Sequence, residues 1–244
     1  MNRILKSELY RIVHEKWLML ASLCMIIFSC GFIAMQKTAM GYTVGIDRVL
    51  FLPMVMYGIV ISVLVSVFVC EEFDDGFIKN KIVAINNRRE IYLMGLISNI
   101  IASLTVYLIT AFFTLIVSYF LFKINISAFD YISYLIFGLF IMLAFVGIYY
   151  LISIACAKKS KAIIVNMGFA FIMLIASLIM NGMLIYNNNF FIRLLFDINP
   201  YGQIAQLTAM NVFNLFRCIS IDIIVFVMCA IIGIKYFNKK DIVD

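Results

Sequence analysis

Charge is what this chain has least of. Charged residues make up only 13% of its 244 positions, against about a quarter in an ordinary soluble domain. Histidine is nearly absent: His14 stands alone, which excludes a histidine-rich metal site, a Ser-His-Asp triad or a histidine proton relay within one chain. Among the six cysteines (Cys24, Cys30, Cys70, Cys156, Cys218 and Cys229) there is no Cys-x-x-Cys pair. They are expected to act as small buried hydrophobes, not as a metal or disulfide framework. No G-x-x-x-x-G-K-[ST] string occurs, so the chain has no phosphate-cradling loop of its own. No run of arginines lies in an apolar stretch, which excludes a voltage sensor.

What is present is apolar. Hydrophobic residues make up 65% of the chain, and the mean hydropathy is +1.09. Uncharged windows run over Trp17–Gln36, Val49–Cys70, Ile91–Phe122, Tyr131–Ala157 and Ala162–Ile192, each reaching the ~20 residues that cross a hydrocarbon core. A sixth window, Cys218–Ile234, holds one acid, Asp222. Its seventeen residues cover about 26 Å as a helix. The expected fold is therefore an all-α membrane domain over 1–244, with spans near 17–36, 49–70, 91–122, 131–157, 162–186 and 218–234. The uncharged stretch Ile198–Phe216 is different, because it carries Asn199, Pro200, Gly202, Gln203, Gln206, Asn211 and Asn214. Lipid offers such groups no partners, so it is expected to be a re-entrant or interfacial outer element, with a seventh span as the alternative.

Basic residues fix the expected orientation. Fourteen of the nineteen lie before the first span, in the loops at 71–90 and 158–161, and in the tail from Lys235. By the positive-inside rule this places both termini in the cytoplasm and requires an even number of spans. The net charge of +6 follows from that topology and does not point to nucleic acid. Ahead of the first span, Ile4, Leu5, Leu9, Ile12, Val13 and Trp17 recur at helical spacing. That pattern suits an interfacial helix over 1–16, or else a plain positively charged flank.

The loop between the second and third spans is the most distinctive segment. It opens with Glu71, Glu72, Asp74 and Asp75 and closes with Lys79, Lys81, Arg88 and Arg89. A helix with acids in its first turn and bases toward its end would match the backbone macrodipole at both ends. Phe73, Phe77, Ile78 and Ile82 would give it an apolar stripe for the membrane or a partner's groove.

This loop resembles that of ABC-2 type transporter permeases, in which the second span runs into E-x-x-x-G-x-I-K-N-K and then R-x-x-I-Y. Glu72, Gly76, Ile78, Lys79, Asn80, Lys81, Arg89, Ile91 and Tyr92 carry the likeness. The basic tail Tyr236–Ile242 and the six-span layout extend it over nearly the whole chain. The resemblance implies a half-transporter in the bacterial plasma membrane, completed by a second six-span permease, identical or a sister. A separate ATPase subunit would hold ATP and magnesium, and this chain would need no cofactor and do no catalysis. It further implies a coupling helix docking on that ATPase. That role would fall on Glu71, Glu72, Phe73, Asp74, Asp75, Gly76, Phe77, Ile78, Lys79, Asn80 and Lys81.

In that family the second and fifth spans line the central path, which makes Asn166, Met167, Phe171 and Asn181 candidates for contact with cargo. Asparagines in spans also serve as interhelical glue, and methionines and aromatics also suit lipid-facing packing. Asp222 is either a substrate contact or a structural acid, with Arg217 as a neighbour. With so little intramembrane charge, the expected cargo is hydrophobic or amphipathic, a peptide or peptide antibiotic. Two alternatives stand beside this reading: a non-transporting membrane scaffold and an ion-coupled secondary transporter.

Overall fold

Pro53 starts the most deeply buried of the membrane-length helices. Lacking an amide hydrogen and fixed at φ −62°, it suits the first turn, where no intrahelical donor is needed. The computed structural model describes residues 10–12, 15–40, 46–85, 87–122, 128–186, 189–208 and 215–240. Among them are ten helices and no strand: α1 Lys16–Met40, α2 Ile46–Phe51, α3 Met54–Asp74, α4 Phe77–Ile85, α5 Arg88–Phe122, α6 Ala128–Cys156, α7 Lys159–Tyr186, α8 Phe190–Ile198, α9 Pro200–Thr208 and α10 Leu215–Lys239. Residues 10–12 are also helical. The rest of the expected interfacial helix, apart from residues 15 and 16, lies outside the described residues, as does the tail beyond Lys240.

Six of these helices are long and apolar enough to cross a membrane, α3 together with the end of α2. The chain is thus a multi-pass helical membrane protein. The last span, only seventeen residues when counted by its window Cys218–Ile234, continues helically at both ends to 25 residues.

Helices α3 and α6 form the centre. α6 packs on α3, α5, α7 and α10, while α3 also meets α1 and α5. In lipid, apolar surface alone does not drive helices together, so close approach and interhelical hydrogen bonds must do so. Tyrosines supply both. Tyr57 donates to Ser103 O at 2.9 Å, Tyr107 to Leu135 O at 2.8 Å and Tyr150 to Tyr92 O at 3.0 Å, each crossing to a neighbouring helix. Their rings need room. Gly138 faces the Tyr107 hydroxyl and Gly95 that of Tyr150, at positions where a Cβ would collide with it.

Two connections are sharp. Gly76 turns the chain between α3 and α4 at φ +72°, and Ala157 closes α6 at φ +55° before α7 begins. Beyond α7, two asparagines act as caps, and one of them, Asn199, is among the polar residues that disqualified 198–216 as a span. The Asn189 side chain accepts from Phe191 N to start α8, and Asn199 Oδ1 accepts from Tyr201 N to start α9. Asn199 Nδ2 also donates to Met173 O on α7 at 2.7 Å, fastening this element to the bundle.

Candidate docking site and buried polar clusters

At the end of the bundle where α3 stops, the acids do not sit as the loop composition predicts. Glu71, Glu72 and Asp74 belong to the last turn of α3, and Asp75 and Gly76 form the turn. The short helix α4 begins only at Phe77. The apolar helix propagates through the acids because each added residue gains a backbone bond, and the left-handed Gly76 then ends it. The macrodipole therefore works against these carboxylates, which lie at a helix C-terminus.

Neighbouring cations offset that cost. Glu72, only 6% exposed, accepts from Arg11 Nη2 at 2.5 Å and from Lys81 Nζ at 2.8 Å. Glu71 pairs with Lys159 Nζ at 2.5 Å, and that ammonium also lies 5.2 Å from the Trp17 ring. One pair of adjacent acids thereby ties together residue 11, α3, α4 and the start of α7.

The other helix ends meet beside it. Lys240 Nζ donates to Ile154 O at 2.6 Å, capping the last carbonyls of α6 with positive charge, the favourable sign at a helix C-terminus. It also stands 5.1 Å from the Phe73 ring. Burial lowers the ammonium below its ordinary lysine range. Arg88 Nη1 donates to Asn238 O at 3.1 Å and Lys240 O at 2.8 Å, joining α5 to the end of α10. A cleft lined by Phe73, Asp74, Gly76, Ile78, Lys79 and Lys158 opens between these anchors.

The expected coupling residues thus divide in two. Glu72 and Ile78 are buried, and Glu71, Phe73, Gly76 and Lys81 are half-buried. Asp74, Asp75, Phe77, Lys79 and Asn80 are exposed. The first group holds the surface in place and the second presents it. Of the predicted apolar stripe, Ile78 faces the bundle, whereas Phe77 is half exposed.

The expected path residues do not form one lining. Asn166 is fully buried, and its Nδ2 lies 2.7 Å from Ser66 Oγ on α3 and 2.8 Å from Ser153 Oγ on α6. Met167 and Asn181 are half-buried, and Phe171 is exposed on the outer face of α7.

Asp222 is buried elsewhere, against α9, where it accepts from Gln203 Nε2 at 2.9 Å. Arg217, the neighbour anticipated for Asp222, forms its ion pair with Asp197. Asp197 is fully buried, accepts from Gln206 Nε2 at 2.6 Å, and through its backbone carbonyl accepts from Gln203 at 2.7 Å. Sequence reasoning missed Asp197. Its signal was a lone acid on the inner side of the stretch 190–198, whose other residues are apolar except for Arg193. All six cysteines are free; Cys70 and Cys218 are buried, but Cys30 is exposed on the surface of α1.

Comparison with protein-family models gave no match, and comparison with curated proteins gave none.

Proposed function

We propose that this chain is the permease subunit of an ATP-driven exporter of the ABC-2 type. It moves hydrophobic or amphipathic molecules, peptides or peptide antibiotics, out of the bacterial membrane or cell. In this reading both termini are cytoplasmic, α8 and α9 form the outer element, and ATP is hydrolysed by a separate subunit. A second six-span copy or sister completes the transporter.

The observation that carries the reading is the construction of α4. It is set off by the Gly76 turn and presents Phe77, Lys79 and Asn80 outward, next to the exposed Asp74 and Asp75 at the end of α3. It is also fastened through Lys81 and Glu72 to a spanning helix. A push on its exposed face would pass through that ion pair into α3, the kind of rigid coupling a transport cycle requires.

Two measurements test it. The tagged chain, extracted from its native membrane in mild detergent, should bring down a stoichiometric ATPase identifiable by mass spectrometry. An Asp75→Lys variant should insert normally and lose that partner. Absence of an ATPase around intact, inserted protein would overturn the proposal. The buried acids Asp197 and Asp222 favour a second reading, an ion-coupled transporter; transport driven by an ion gradient without nucleotide would establish it.

A further inference from the structure

Helix α10 is the least covered of the spanning helices, with only 11% of its apolar window buried. One stripe along it stays open for its whole second half. Ile224, Met228 and Ile231 follow one another at helical spacing, all exposed, with Val227 and Ile232 widening the strip. Lys235 and Lys239 continue the same stripe and are also exposed. With Tyr236 and Asn238 they line a shallow groove at the helix end.

Neither lysine has an ion pair or hydrogen bond among the described residues, and no acid occurs in the sequence between Asp222 and Lys240. This sets the two apart from Lys81 and Lys159 at the same end of the bundle, whose charges are taken up by Glu72 and Glu71. Lys240 turns inward to the α6 carbonyls.

We propose that this stripe is a binding site for an anionic phospholipid. Its acyl chains lie along Ile224, Met228 and Ile231, and its headgroup phosphate sits between Lys235 and Lys239. The complementarity is amphiphilic, with an apolar track about one leaflet deep (~16 Å from Ile224 to Lys235) ending in two cations that have no partner among the described residues. Tyr236, partly exposed at the boundary, occupies the level where interfacial aromatics settle. A protein partner would need a matching apolar face continuing down the bilayer, whereas a lipid carries acyl chain and phosphate in one molecule. Basic groups at such a boundary each favour anionic lipid by a several-fold factor. The inference rests on the membrane-spanning fold and is independent of any ATPase.

Native mass spectrometry of the full chain in mild detergent, with phosphatidylglycerol or phosphatidylcholine added at equal concentration, tests it. The wild type should retain phosphatidylglycerol in preference. Lys235→Gln with Lys239→Gln should weaken that retention about 10- to 30-fold and leave phosphatidylcholine unchanged. The Lys235→Arg, Lys239→Arg variant should keep the preference. The control Lys158→Gln with Lys161→Gln, changing two exposed lysines at the start of α7, should leave it unaltered. Equal retention of the two lipids would overturn the proposal, as would equal losses in both glutamine variants. A change of oligomeric state in place of lipid loss would assign the face to a second copy and overturn it too.

Discussion

Glu72 and Lys81 lie on opposite sides of the Gly76 turn, and their side chains meet at 2.8 Å. Because Arg11 shares the same carboxylate, Glu72 is a structural clamp and Asp75 is not. Glu72→Gln keeps the shape but loses charge-assisted bonds worth about 1.5–3 kcal/mol each. It should lower stability by an amount in that range, measured by equilibrium unfolding in mixed micelles. Asp75→Lys should change stability by no more than about 0.5 kcal/mol, which makes it the clean probe of docking.

A second expectation concerns Asn166. Its amide joins α7 to α3 through Ser66 and to α6 through Ser153. Interhelical hydrogen bonds of this kind contribute about 0.6–2 kcal/mol. A double-mutant cycle of Ser66→Ala and Asn166→Ala should return a coupling energy of that size. Additive effects would show that the two helices are held by packing alone.

The glycines divide by what they face. At Gly138 a methyl would overlap the Tyr107 hydroxyl, while Gly168 has nothing within 4 Å. Gly138→Ala should therefore cost about 1–3 kcal/mol through overpacking, and adding Tyr107→Phe should recover part of it. Gly168→Ala should be neutral or stabilising by up to about 1 kcal/mol, since alanine is the better helix former.

Asp197 sets the fourth expectation. It is fully buried and its charge is met by Arg217. Arg217→Met leaves an uncompensated buried carboxylate and should cost about 3–5 kcal/mol, whereas the double variant with Asp197→Asn should be closer to wild type. Yield of folded protein and unfolding in mixed micelles both read this. Equal losses in the single and double variants would show that the ion pair is not what fixes α8 on α10.

Six spans, and the polar element before the last of them, were legible because both follow from local chemistry. A window of about twenty uncharged apolar residues has one stable state in lipid, and Asn199 or Gln203 announces itself in any such window. The site was legible only in part. The segment at 71–81 stands out by composition, yet the division into clamp and presented surface depends on where α3 ends. That boundary is set by backbone propagation up to Gly76 and by Arg11, Lys81 and Lys159 gathering around the acids, contacts spanning up to 88 positions of sequence.

The sequence by itself determined that this chain is helical, apolar over six stretches and richest in basic residues in alternate segments between them. Only the tertiary structure decided that Asn166 joins three helices and that Asp197, not Asp222, takes Arg217. The exposed face of α10 running into two lysines with no partner among the described residues was likewise invisible before folding. The reason is physical: hydropathy is a sum over neighbours along the chain, whereas pairing and exposure depend on which faces of separate helices are brought together.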